Sequence, residues 1–324
     1  MIDTIGIELS NAEIGDNVDF MKIKDILGNM AYYYSYYGKK CFIKNIDGLK
    51  IRIDKNSLKI SGSLSGWYFG SNVETFTYQT FLDAIKRLEE TFQISLEKAV
   101  ITRLDMAGNF PMTYSPRVYQ DNLLSLKKFK RGYMEGDTLY FFSTGQKLCI
   151  YDKTKEMRAK YPDYPMKEGY LLRYEMRLFN LKKDERLTIG EFCQKKRYRQ
   201  YVRLWWDLYK KIVKRPKKAV KPGVNYEYVK TPKDFKEMAA SYYIAECGLE
   251  KMIRGVDDAR ISATLTPMQT LRMKRCYEES ASYTGTGKID YTSTVTELNK
   301  KVEYFYQEQV GGLKTTNAIH PYGL

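Results

Sequence analysis

Three segments of this chain carry acid, base and phenol side chains at every second position, the spacing that sets them on one face of a β-strand. In 100–106, Val100, Leu104 and Met106 fall on one side and Arg103 and Asp105 on the other. In 148–153, Leu148 and Ile150 oppose Tyr151 and Lys153. In 171–178, Leu172, Tyr174, Met176 and Leu178 oppose Arg173, Glu175 and Arg177. If the three strands are neighbours, under about 5 Å apart, the charged faces merge into one patch. Asp105 and Glu175 then lie close enough to share a hard divalent cation through oxygen ligands. The arginines and Lys153 would hold a phosphate and offset charge developing on it. Tyrosine suits phosphodiester transfer as a nucleophile, because its phosphate ester conserves the energy of the cut bond for rejoining. The same alternation also describes a sheet with one solvated face whose Arg, Asp and Glu rows are cross-strand ion pairs.

The elements that must position these residues follow from periodicity. Strands are expected at 2–9, 98–107, 137–143, 146–152 and 169–179, with Ser143, Thr144 and Gly145 as a turn. Segments 49–54 and 57–62 read as a hairpin, and 64–70 as an extension of the sheet. Phe81, Leu82, Ile85, Leu88 and Phe92 recur at helical spacing, which predicts a helix from about Thr77, its cap, to Ile94. After residue 180 the pattern turns helical, at 188–213, 233–253, 267–279 and 293–309, with a basic, proline-containing loop at 214–223. The expected organisation is α+β: a domain over 1–180 built on a central antiparallel sheet, a smaller helical part over 181–310, and a tail over 311–324.

Composition narrows the chemistry. Lys and Arg number 54 against 39 Asp and Glu, a formal charge of +15, which favours a polyanionic partner through counterion release. Twenty-nine tyrosines in a chain 14% aromatic add stacking surfaces for bases. The five cysteines are scattered without a C-x-x-C pair, so neither a disulfide framework nor a zinc site is indicated. A single histidine, His320, removes Ser–His hydrolases and two-histidine metal sites from contention. No G-x-x-x-x-G-K-[ST] loop is present, and the turn around Gly285 and Gly287 is no phosphate cradle. No targeting segment or membrane span is read, and a cytoplasmic protein is expected.

The segments VITRLDMAGNF, LCIYDKTKE and LLRYEMRLFN, in that order, resemble those of the filamentous-phage gene II replication initiators, within the wider group of phage and plasmid rolling-circle initiators. The opening MID, running into a strand, is similar too. The likeness is good over 98–180, loose over 1–97, and only general beyond. It implies the single-strand endonuclease fold of rolling-circle initiators (HUH-like), a central antiparallel sheet with helices on its apolar face. It implies that Tyr151 is the nucleophile joined to the 5′ phosphate at a nick and that Lys153 positions the scissile phosphate. Asp105 and Glu175 match acidic motif positions as metal ligands. Glu156 becomes a third ligand or the group that orients the phenol, and Arg103, Arg173 and Arg177 are the motif arginines. Many relatives hold their metal with paired histidines; here carboxylates must replace them, and magnesium or manganese suits oxygen donors best. Origin DNA, single-stranded at the nick, and host polymerase and helicase are the implied partners.

Two further segments fit a nucleic-acid partner. In 195–218, Lys195, Lys196, Arg197 and Arg199 interleave with Tyr198, Tyr201, Trp205, Trp206 and Tyr209. The expected helix buries its aromatics and lays its basic face on DNA phosphates. Tyr198 or Tyr201 is the alternative nucleophile. The run Tyr32–Tyr37 can stack on unpaired bases or sit half-buried. The alternative to a nickase is a non-catalytic origin-binding protein, and an RNA-binding protein is a third reading.

Overall fold

A computed structural model describes residues 1–15, 18–34, 40–134, 138–161, 169–179, 181, 186–215, 231–232, 236, 239–240, 243–244, 247–281 and 291–311. The readings placed on 35–37, 216–223, Gly285, Gly287, His320 and most of the tail lie outside these residues.

Alternating apolar residues build ten antiparallel strands into one sheet: β1 (Ile2–Ser10), β2 (Ala31–Tyr34), β3 (Lys40–Ile46), β4 (Leu49–Asp54), β5 (Ser57–Ser63), β6 (Val100–Met112), β8 (Lys130–Met134), β9 (Thr138–Ser143), β10 (Gln146–Asp152) and β11 (Tyr170–Phe179). Their order is β2-β3-β4-β5-β1-β6-β11-β10-β9-β8. A separate two-stranded piece pairs β7 (Leu123–Ser125) with β12 (Val213–Lys214). The three charged strands are therefore adjacent, with β11 between β6 and β10. Register aligns Arg177 with Asp105, Glu175 with both Ala107 and Cys149, and Tyr151 with Arg173. Paired residues project to the same side, so the acids, arginines and phenol share one face as the alternation required. The tight β9–β10 turn works because Gly145 takes a φ of +78°.

The opposite face is the apolar one. Ile5, Leu104, Met176, Leu148 and Phe141 are buried there, and the helix Tyr78–Phe92 adds Phe81, Ile85, Leu88 and Phe92 to the same core. Thr77 caps that helix by accepting from the Thr80 amide. The helix Lys195–Lys211 places Trp205 4.8 Å from Tyr174, and the helix Tyr291–Val310 places Phe305 5.6 Å from Phe110 (ring centroids). Glu297 on this last helix accepts from the Thr113 amide and from the Tyr119 hydroxyl. Both helices, which the sequence reading puts in the helical part, thus complete the core of the sheet. The helices Leu249–Ile261 and Pro267–Ala281 pair with each other, joined by the Lys274–Asp257 bridge at 2.5 Å.

One expected strand is a helix. The pattern over 64–70 predicts an extension of the sheet, but Leu64–Phe69 is helical. The Ser63 side chain accepts from the Gly66 amide, Leu64 and Trp67 bury one face, and Gly70 ends the turn at a φ of +76°.

Trp205 is fully buried, and its indole Nε1 has no hydrogen-bond partner among the described residues. Trp205→Ala should cost roughly 3–5 kcal/mol through the cavity it leaves, and Trp205→Phe clearly less, because it also removes the orphaned N–H. Urea unfolding followed by circular dichroism measures both; equal losses would contradict the assigned packing.

Candidate active site

The charged face condenses into a continuous ionic network running across β1, β6, β11 and β10. At one end, Arg103 on β6 clasps Asp105 with Nε to Oδ1 at 2.9 Å and Nη2 to Oδ2 at 2.5 Å. Arg177 lies between the two acids, its Nε 2.8 Å from Glu175 Oε1 and 3.9 Å from Asp105 Oδ2. Glu175 Oε2 accepts from the Tyr151 hydroxyl at 3.3 Å and lies 3.5 Å from Arg173 Nε. Arg173 Nη2 then reaches Asp3 Oδ1 on β1 at 2.8 Å. Asp105, Arg173 and Glu175 are no more than 2% exposed, whereas Arg103 and Arg177 keep 40% and 24% of their side chains in solvent. The ion pairs that alternation alone allowed are therefore present, but they are buried rather than spread over a wet surface.

Burial sets the electrostatics. It pushes the Asp105 carboxyl up to about 6, against the hydrogen bonds from Arg103, and neighbouring Glu175 adds to the rise. Burial likewise raises the Tyr151 phenol well above its usual range, opposed by the positive charge of Arg173. The phenol is thus protonated at neutral pH and needs an acceptor if it is to react. Glu175 is already in hydrogen-bonding distance.

Lys153 departs from the sequence reading. Strand parity puts it beside Tyr151, but β10 ends at Asp152 and Lys153 opens the helix Lys153–Lys160. Asp152 caps that helix by accepting from the Lys155 amide at 2.9 Å. Lys153 is fully buried, and its Nζ bonds Glu156 Oε2 at 2.8 Å. Burial, then the nearby Arg173, lowers the Lys153 ammonium to about 8. Glu156 sits one turn along the same helix, between Lys153 and Lys160 at 2.8 and 2.6 Å. Burial would raise its carboxyl, but the two lysines outweigh that and hold it at about 2.

The carboxylates do not fit a divalent ion as they stand. The position between Asp105 and Glu175 is taken by the Arg177 guanidinium, and Glu156 is committed to lysines. Among the described residues no three His, Cys, Asp or Glu gather as a metal cage.

The basic helix divides as its pattern required. Tyr198, Tyr201, Trp205 and Tyr209 are buried, while Trp206 stacks half-buried on Tyr306. Lys195 and Lys196 are exposed, and Arg197 and Arg199 are half-exposed. Tyr198 is fully buried and Tyr201 is 4% exposed, whereas Tyr151 is half-buried as a residue, with its hydroxyl on the buried Glu175. Tyr32 is 64% exposed at the far edge of the sheet, with Lys40 over its ring. No helix among the described residues is long and apolar enough to cross a membrane.

Sequence reasoning missed Asp3 as a member of the network. The available signal was an acid placed at the start of a strand rich in isoleucine and leucine, where a buried charge demands a partner.

The α+β fold, a large antiparallel sheet with several helices, is consistent with a replication-initiator domain. The family described as the N-terminal part of the phage gene II replication-associated protein matches residues 1–190, and the chain belongs to it. Its role is accordingly replication initiation in a phage or plasmid setting, and DNA is its partner. No curated protein matches the chain.

Proposed function

We propose that the protein nicks and rejoins one DNA strand at a replication origin through a 5′-phosphotyrosine intermediate, with a nuclease domain of the HUH-like type. The observation that carries this reading is the Tyr151 hydroxyl hydrogen-bonded to Glu175 within a network that ends in two part-exposed arginines, Arg103 and Arg177.

In the proposed step, Tyr151 Oη attacks the scissile phosphorus and a new P–O bond forms. The bond from phosphorus to the 3′ oxygen breaks, and that oxygen leaves with the electron pair and takes a proton from water. The phenolic proton passes to Glu175, the acceptor already in place. Arg103 and Arg177 reach the phosphate from the solvent side and offset the charge that grows on it. Lys153 holds the start of its helix through Glu156. Reversal by the 3′ hydroxyl of a displaced strand rejoins the DNA without an external energy source. The free 3′ end is suited to priming by host polymerase behind a helicase. Dependence on magnesium or manganese belongs to this proposal on donor chemistry alone, with Asp105 and Glu175 as ligands if Arg177 gives way; the step above does not pass through a metal.

The test is incubation with single-stranded origin DNA, with and without Mn²⁺ or Mg²⁺, followed by a denaturing gel. A shifted covalent band supports the nickase. Tight binding with no adduct would replace it by the non-catalytic origin-binding protein. Lys195 and Lys196 provide a second check, as exposed cations proposed to sit on phosphates. Lys195→Ala with Lys196→Ala should weaken DNA binding and reduce the slope of log K against log salt by about 2. An unchanged slope would take this helix out of the interface.

A further inference from the structure

We propose that Asp3 is a positioning residue for Tyr151, acting through Arg173 and Glu175; this rests on the reading of Tyr151 as the reacting phenol. Asp3 lies on β1, two strands away from β11, yet its carboxylate closes the end of the network opposite Arg103. Pairing between β1 and β6 shifts register between Ile2 and Ile5, and Asp3 falls in that irregular stretch.

The carboxylate is anchored on every side. Oδ1 accepts from Ser65 Oγ at 3.2 Å, Ser63 Oγ at 3.4 Å and Asn72 Nδ2 at 3.4 Å, besides the Arg173 bond. Oδ2 accepts from Thr4 Oγ1 at 3.3 Å. Arg173 is gripped equally: Nη1 donates to the Asn72 carbonyl at 2.9 Å and to Asn109 Oδ1 at 3.3 Å. Both ends of the guanidinium are thus fixed, while Nε, buried and without a hydrogen bond among the described residues, faces Glu175 Oε2 at 3.5 Å. That is the oxygen that accepts from Tyr151.

A pair needed only to hold the sheet together would be easy to replace with apolar side chains, since buried ion pairs contribute little net stability over packed hydrocarbon. Here the geometry instead stops Arg173 short of Glu175. If Asp3 releases it, Arg173 is free to close on Glu175 Oε2 and compete with the phenol for that oxygen. Tyr151 then loses its side-chain hydrogen bond. Displacement of a reacting group by about 1 Å can cost on the order of 10²-fold in rate.

The experiment uses the full chain in three forms: unaltered, Asp3→Asn and Leu64→Ala. Leu64 is fully buried on the adjoining helix and bonds neither Asp3 nor Arg173, so its truncation destabilises the region while every donor and acceptor of the ion pair is kept. Two readouts are taken. Adduct formation is measured in a single turnover at saturating oligonucleotide, alongside the Kd for that oligonucleotide. Acetylation of Tyr151 by N-acetylimidazole is followed by mass spectrometry on the protein without DNA. For Asp3→Asn the expected results are a roughly 10- to 100-fold slower adduct, a Kd within about twofold, and Tyr151 acetylated at least about fivefold faster; Leu64→Ala should change neither rate by more than about threefold. Should Asp3→Asn fail to fold, Ser65→Ala loosens the same carboxylate without altering charge and should move both rates in the same directions, by roughly three- to tenfold. Unchanged acetylation of Tyr151, or a change matched by Leu64→Ala, overturns the assignment. Acetylation needs no DNA cleavage, so a missing adduct in the unaltered protein would reject the nickase reading while leaving this readout decisive for Asp3.

Discussion

Tyr151→Phe is expected to remove the covalent protein–DNA product completely, a loss of at least about 10⁴-fold in rate, with DNA binding and stability nearly intact. The reasoning separates the ring from its hydroxyl. The ring is half-buried on β10 and phenylalanine keeps its contacts. The hydroxyl bonds Glu175 at 3.3 Å, and such a bond contributes about 1 kcal/mol net. Melting should therefore shift by only a few degrees. Chemistry differs, because no other atom of that side chain can form the phosphate ester. The variant is assayed on a denaturing gel with single-stranded origin DNA, next to a filter-binding curve. A persisting adduct would move the nucleophile elsewhere.

Glu175→Gln carries the second large effect. The amide keeps the shape and can still accept a hydrogen bond, but it cannot take up the phenolic proton. Loss of a general base typically costs about 10²–10⁴-fold, and adduct formation should fall by about that much. Binding should persist, since Glu175 is only 2% exposed and offers DNA no surface. Stability will fall as well, because Arg177 and Arg173 lose a buried counter-charge. Removing one partner of a buried pair costs about 3–5 kcal/mol, partly offset here because Asp105 lies 3.9 Å from Arg177 and Asp3 lies 2.8 Å from Arg173. Rates are therefore compared at a temperature where circular dichroism shows the variant folded. Wild-type cutting by this variant would remove Glu175 from the chemistry.

How far the sequence carried depended on whether the deciding interaction was local. β6, β10 and β11 were legible because a two-residue period of strong apolar and charged residues leaves little choice of face, and their adjacency and register follow in the structure. Leu64–Phe69 reads wrongly as a strand because Trp67, Tyr68 and Phe69 favour strands, while the signals that won were Ser63 before the segment and Gly70 after it. Lys153 is misplaced by extending strand parity one residue too far; Asp152 already marks a helix start. The acids were legible as a cluster, but not their partners. Alternation fixes which residues share a face and is silent on which cation sits between them, and Arg177 occupies the place expected for a metal ion. Asp3 was hidden for the same reason, since its partner, Arg173, is far away in the chain. So was the return of Tyr291–Val310 to the sheet, fixed by contacts such as Phe305 with Phe110 that no local pattern encodes.

The most direct measurement is to isolate the adduct formed by the unaltered protein on single-stranded origin DNA, digest both components, and map the nucleotide by tandem mass spectrometry. Cleavage after lysine yields the peptide Leu148–Lys153, whose one tyrosine is Tyr151. The expected result is a 5′-phosphonucleotide on that residue. A nucleotide carried instead by the peptide containing Tyr198 or Tyr201, or by no tyrosine at all, would contradict the site described here.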